Sequence, residues 1–382
     1  MRPEKNNTYC AYPFRSVMYL NWTENKPDNA WPCCFIGGWS QEQSADQNDD
    51  LLNNLHKKTP QEVFDSETYK KLRHDALNNK RNPLCSVCWD LEDKNIVSSR
   101  FYSQDDFYPE DGDISLIQIK LDNKCNIGCR SCNPYNSNYL EKDFKFFKEN
   151  NIELGNFKPG NTNVQDSLAY KWILNNTHKI KIIYITGGEP FFSKKFYEII
   201  NKYIKTGDAK NTKLIIHTNG TLFNKNTIEK LNQFKILQTT LSIDSVDENY
   251  EYIRHPMSFN KLEKSIETLL SNSTNLDVKI NLVLSSLNFN FLKKHEEWCR
   301  LIFKKNFKIL YSEMWDRSQG ISINNLNENL LKIAIKDAEN LDEMFSDKNR
   351  AIEFYNSAIK NCFSNKQKML HEIRSFDLSR KQ

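Results

Sequence analysis

Lys120-Leu121-Asp122-Asn123-Lys124-Cys125-Asn126-Ile127-Gly128-Cys129-Arg130-Ser131-Cys132 places three thiols within eight residues, directly after an apolar, strand-like run. A loop of that length can wrap its thiols around one cluster. A [4Fe-4S] cluster ordinarily takes four protein thiolates, so three from a compact loop leave one iron open to bind a substrate or cofactor. Zinc is the alternative for grouped thiols, but zinc motifs pair C-x2-C units and need a fourth ligand, which this loop does not offer.

Outward from that loop, residues 114 to 314 alternate β-rich apolar runs with amphipathic stretches, the pattern of successive βα units on a parallel sheet. Strands are expected at 114–121, 180–186, 213–218, 239–244, 276–284 and 307–313. Helices are expected between them at 136–149, 193–206, 224–234, 259–271 and 289–304, with one more at 164–175. The first hundred residues read differently: a hairpin over 15–33, a Gln/Asn/Asp-rich loop, and a helix over 60–79. Residues 98–113, acidic and poor in aliphatic side chains, serve as a linker. After about residue 318 the apolar spacing in 326–341 and 351–363 predicts helices that cap the body. This gives an α/β chain divided into 1–97, 98–113, 114–318 and 319–382.

The whole sequence has 382 residues, with 38% hydrophobic, 12% aromatic and 27% charged residues, the composition of a soluble globular protein. No stretch approaches the roughly 20 apolar residues of a membrane span, and Met1-Arg2-Pro3-Glu4-Lys5 does not open a signal peptide. A cytoplasmic location without membrane attachment is the expectation. The net charge of +4, from 53 basic and 49 acidic residues, gives no reason to expect nucleic acid as a partner. Ten cysteines in a reducing compartment point to metal binding or catalysis instead of disulfides. Of these, Cys299 and Cys362 stand alone in helical sequence and read as core residues.

The spacing Cys125-x3-Cys129-x2-Cys132 after the first strand of a βα body resembles the radical S-adenosylmethionine superfamily, although Ser131 stands where an aromatic residue is common there. The resemblance implies a partial (β/α)6 TIM barrel over 114–318 and a cluster whose open iron chelates the amino and carboxylate groups of S-adenosylmethionine. Later residues match in order. Gly187-Gly188-Glu189-Pro190 closes the second strand like the family's G-G-E-P motif, with paired glycines for close backbone approach and Glu189 for the cofactor's amino group. Alone, that segment would also read as a strand-to-helix turn with Pro190 at the helix start. Thr218 and Asn219 after the third strand, and Ser242 and Asp244 after the fourth, are implied to line the ribose and methionyl parts of the site. Arg254 stands where the family often has an arginine for the carboxylate, its alternative being a solvated surface residue. His217 and His255 read as local hydrogen-bonding residues.

Cys10-Ala11-Tyr12-Pro13-Phe14, Trp31-Pro32-Cys33-Cys34 and Cys85-x2-Cys88 together resemble the twitch or SPASM-like module that carries auxiliary clusters in radical enzymes. Here the module precedes the barrel, as in a group of phage and bacterial twitch-containing radical proteins. Cys10, Cys33, Cys85 and Cys88 are the implied ligands of a second iron-sulfur cluster, Cys33 being chosen over Cys34 because it follows Pro32. A zinc knuckle on the same residues is the alternative. The resemblance implies hydrogen abstraction by a 5′-deoxyadenosyl radical, with a peptide or protein as substrate ahead of a carbohydrate or other small molecule. It also implies a low-potential electron donor such as flavodoxin or ferredoxin. A non-enzymatic metal-binding interaction protein is the competing class. Barrel geometry nominates Glu313, ending the sixth strand, as an acid or base, against a rim carboxylate paired with Lys308.

Overall fold

Short β-branched runs condense into one eight-stranded sheet in the order β2-β1-β3-β4-β5-β6-β7-β8. The strands are β1 (Ser16–Tyr19), β2 (Ala30–Trp31), β3 (Leu116–Lys120), β4 (Ile182–Thr186), β5 (Lys213–Thr218), β6 (Ile236–Ser242), β7 (Leu276–Leu284) and β8 (Phe307–Glu313). The computed structural model describes residues 8–19, 30–34, 36, 57–93, 98–102, 113–152, 164–314, 320–360 and 366–381. From β3 to β8 every neighbouring pair is parallel and consecutive, with helices in each connection. That is the succession of a partial (β/α)6 barrel.

Alternation along the strands sorts side chains onto two faces. On β5, Leu214, Ile216 and Thr218 are buried while Lys213, Ile215 and His217 are half-buried. The buried set joins a core with Phe196, Ile199, Ile200 and Tyr203 of the helix Lys194–Thr206. Each such side chain contributes about 1.5–3 kcal/mol by leaving water. That helix stops at Gly207, whose φ of 77° lets its N–H bond back to the Ile204 carbonyl. The opposite face is the barrel interior, where Met18, Leu116 and Ile182 pack with Tyr12, Cys33 and Ile215.

The expected strands 213–218, 276–284 and 307–313 match β5, β7 and β8 to the residue. β6 begins at Ile236 and ends at Ser242, so Asp244 lies on the loop beyond it. The expected helix 60–79 is two, Pro60–Phe64 and Glu67–Leu77, because Ser66 caps the second by accepting from the Tyr69 N–H. β1 and β2 pair antiparallel, as a hairpin over 15–33 requires, while residues 20–29 fall outside the described residues. β1 also pairs parallel with β3, Ser16 opposite Leu116 through Tyr19 opposite Ile119, so the N-terminal segment extends the barrel sheet. The start of the expected linker is helical (Ser99–Tyr102), and Arg100 forms an ion pair with Glu92. Residues 103–112, the Gln/Asn/Asp-rich loop over 37–56 and Cys362 lie outside the described residues.

Toward the C-terminus, helices Glu328–Glu339 and Lys348–Lys360 follow the expected spacing. A further helix, Lys366–Ser379, had no matching apolar period. No helix among the described residues is long and apolar enough to cross a membrane.

Candidate active site

Parallel strands deliver their following loops to one end of the sheet, and the cysteine loop is built there by backbone contacts with its neighbours. The Gly188 N–H donates to the Asp122 carbonyl and the Glu189 N–H to the Lys124 carbonyl, both at 2.8 Å. Asp122 turns its carboxylate back on the loop, accepting from the Lys124 N–H at 3.1 Å and the Ser193 hydroxyl at 2.7 Å. The Cys125 N–H donates to Asn138 Oδ1 at 3.0 Å. On the far side, the Gly128 and Arg130 N–H groups donate to the carbonyls of His255 (2.7 Å) and Ile253 (2.9 Å).

The paired glycines serve this contact. A Cβ on Gly187 would lie 3.1 Å from the Asp122 carbonyl oxygen, and one on Gly188 would overlap the Lys124 carbonyl. The close approach expected toward a ligand is thus made toward the cysteine loop, because the two backbones run in contact. Pro190 begins the short turn Pro190–Phe192.

Glu189 is fully buried. Its Oε1 accepts from the Thr218 hydroxyl at 2.8 Å and the Phe191 N–H at 3.1 Å, and its Oε2 from the Asn219 N–H at 2.7 Å. Burial pushes its carboxyl up to about 7, against the pull of those hydrogen bonds and of Arg254. Asn219 continues the network to the cysteine loop by donating to Asn126 Oδ1 at 2.8 Å, while Asn126 donates to the Thr221 hydroxyl at 2.9 Å.

Arg254 is buried, so the surface-residue alternative falls. Its guanidinium lies 2.8 Å from Asp244 and 3.6 Å from the Cys129 sulfur, and its Nε is buried without a hydrogen-bond partner among the described residues. Asp244 is held in turn by the Val283 N–H at 2.9 Å. Ser242 pairs in register with Asn281 of β7, and the Ser312 hydroxyl of β8 donates to Asn281 Oδ1 at 2.7 Å, giving the barrel interior a polar row.

Glu313 does not join that row. It stands opposite Leu284 and shares the alternation of Ile309 and Tyr311, which pack in the helix-facing core, whereas Ser312 takes the interior face. Lys308 donates to the carbonyls of Glu343 and Ser346. His217 faces Tyr184 edge-on with ring centroids 5.4 Å apart, and burial pushes its imidazole down to about 4, leaving it neutral.

In the N-terminal segment, Cys10, Cys33, Cys85 and Cys88 line one cavity, walled by Leu72, Trp89 and Arg100 among others, and Cys34 is exposed outside that lining. Arg100, from the expected linker, thereby belongs to this site; its sequence carried no signal for that.

The three thiols of the cysteine loop form a donor set that fits a [4Fe-4S] cluster. Burial pushes the Cys132 thiol up to about 12 and raises Cys125 and Cys129, Arg254 working against the shift at Cys129. Such thiols stay protonated until a metal displaces the protons.

Fold and site together define a class: a parallel α/β partial barrel with a three-thiol loop at the carboxyl end of its first βα strand. Residues 119–288, just under half the chain, match the family model of the Radical SAM superfamily, and this segment contains the three cysteines, Glu189 and Arg254. An uncharacterized protein of Methanocaldococcus jannaschii, MJ0907, is 29% identical over 189 residues, covering 48% of this chain and 57% of that one. The radical SAM cyclopropyl synthase TigE of Paramaledivibacter caminithermalis is 27% identical, covering 47% and 37%. The chain spans about half the length of the curated relatives it matches. Among solved structures, native anSMEcpe with bound AdoMet overlays with a TM-score of 0.38 at 18% identity over 58% of each chain.

Proposed function

We propose that the protein is a radical S-adenosylmethionine enzyme that modifies a peptide or protein with the help of an auxiliary iron-sulfur cluster. The observation that carries this reading is the junction of Cys125, Cys129 and Cys132 with Gly187-Gly188-Glu189 and Arg254 at the carboxyl end of consecutive strands. A [4Fe-4S] cluster held by Cys125, Cys129 and Cys132 would supply the electron for reductive cleavage of S-adenosylmethionine and so the radical chemistry that removes a substrate hydrogen.

The chain's own residues supply binding, orientation and exclusion of water. Glu189 is the anionic acceptor for the cofactor's ammonium. Arg254 keeps positive charge at Cys129 and at the cofactor's carboxylate, held in place by Asp244. Thr218, Asn219 and Ser242 border the rest of the cofactor, and the interior row of Ser242, Asn281 and Ser312 faces the substrate. Cys10, Cys33, Cys85 and Cys88 would hold the auxiliary cluster, which would accept the electron left after hydrogen loss or bind the substrate. A low-potential flavodoxin or ferredoxin provides the reducing electron.

Anaerobically reconstituted protein mixed with S-adenosylmethionine and dithionite should release 5′-deoxyadenosine and methionine. Protein carrying a full iron complement that releases neither would sink the enzymatic reading and favour a metal-binding interaction protein.

A further inference from the structure

The C-terminal helix Lys366–Ser379 and the Arg380 that follows it reach back across the chain to the two residues flanking Cys129. Arg380 Nη2 donates to the Gly128 carbonyl at 2.6 Å. Asp377 forms an ion pair with Arg130, whose guanidinium lies 3.9 Å from the centre of the Tyr252 ring, and Tyr252 donates its hydroxyl to the same Asp377 carboxylate. Ser379 donates to Asp143, which also sits 3.5 Å from Arg380, and Phe376 packs edge-on against Phe147. The middle thiol is therefore bracketed by main-chain bonds to residues 253 and 255 on one side and by the C-terminal helix on the other.

Two arginines converge there, Arg254 on the sulfur and Arg380 on the adjoining carbonyl. Both side chains are buried, and among the described residues Arg254 Nε together with Arg380 Nε and Nη1 has no hydrogen-bond partner. Buried guanidinium donors left unpaired are costly unless a negative group completes the site. An anionic cluster on Cys129 is such a group.

We propose that the C-terminal helix is a clamp for the triad-bound cluster, with Asp377 and Arg380 as positioning residues that hold the Cys129 turn in its ligating form and place positive charge beside the cluster. The proposal rests on the radical-enzyme reading. Substitutions around metal ligands typically cost about ten- to a hundredfold in metal affinity. Arg380→Gln should thus release triad iron to a chelator about ten- to a hundredfold faster than wild type. Its midpoint potential should move negative, because a cation that favours the reduced cluster has gone. Arg380→Lys should return the potential toward wild type, which a merely structural loss would not show.

Asp377→Asn, which keeps the side chain's size, should speed iron release in the same direction, and the N-terminal metal should leave each variant at the wild-type rate. Wild-type release and potential in both Arg380→Gln and Asp377→Asn overturn the clamp. The reading beneath it is tested separately by replacing Cys125, Cys129 and Cys132 with Ala. An iron content equal to wild type in that variant overturns the reading, whereas iron lost with the three cysteines but released from wild-type, Arg380 and Asp377 variants at one rate overturns the clamp alone.

Discussion

The two cysteine sites are built on opposite plans. The triad loop takes three thiols from eight consecutive residues and surrounds them with charge: Glu189, Asp244, Arg254 and Arg380 all stand within its immediate network. The N-terminal cavity takes four thiols from three separated segments and surrounds them mainly with Leu72, Ala76, Trp89 and Tyr12, with Arg100 and Lys80 also in its wall. A cluster with four protein thiolates is complete and needs only enclosure. One with three has an open iron, and the polar groups around it are what a charged ligand there requires. The difference teaches that the proposed three-thiolate and four-thiolate clusters call for walls of different polarity.

The largest effect should come from exchanging the two plans. Replacing all three triad cysteines with Ala should abolish cofactor cleavage and remove the triad iron while the N-terminal metal stays. Replacing Cys85 and Cys88 with Ser should do the reverse, leaving 5′-deoxyadenosine release intact and uncoupled from product. Metal analysis of both variants decides it, and joint loss of metal in either would break the comparison. Zinc at the N-terminal site would remove the auxiliary-cluster role.

Next in size is Glu189. Loss of a charge-assisted hydrogen bond costs about 1.5–3 kcal/mol, so Glu189→Gln should weaken S-adenosylmethionine binding by about ten- to a hundredfold by calorimetry, with iron content unchanged. The same residue sets a pH dependence. Its folded value near 7 lies above the ordinary 4.5, so the cofactor-free native state holds a proton the unfolded chain has released. Its contribution to stability is therefore lost as pH rises from about 4.5 to about 7. Denaturant midpoints across that window should fall less steeply in Glu189→Gln than in the wild type. Equal slopes would mean that Glu189 is ionised throughout.

Gly188→Ala sharpens the contact between the two loops, since its Cβ would overlap the Lys124 carbonyl. Overpacking of this kind costs about 1–3 kcal/mol, and thermal melting should register it. The smallest effect belongs to Glu313→Gln, which should turn over at close to the wild-type rate. A variant that still made 5′-deoxyadenosine but little product would return Glu313 to the chemistry.

The barrel was legible because its strands are continuous apolar runs with helices between them, and β5, β7 and β8 came out to the residue. The three-cysteine loop was legible because its thiols are local in sequence. Cys10, Cys33, Cys85 and Cys88, expected as one set from the resemblance, line one cavity. Glu313 could have been placed from sequence alone: it follows Ile309 and Tyr311 at intervals of two, which assigns it to their face. Other features left no local trace. β1 is only four residues long, and its pairing with β3 spans the whole N-terminal segment. Asp377 and Arg380 look like ordinary surface charge in a helix with weak apolar patterning. Their partners, Arg130 and Gly128, lie 247 and 252 residues away.

That separation also has a meaning in time. A ribosome adds about 5–20 residues per second, so the 252 positions between Gly128 and Arg380 amount to about 13–50 s of synthesis. Throughout that interval the cysteine loop exists without the helix that closes over it. On the clamp proposal, iron and sulfide that reached the nascent chain in that interval would meet a loop not yet held by Arg380, and emergence of the helix Lys366–Ser379 would turn a loading loop into a retaining one.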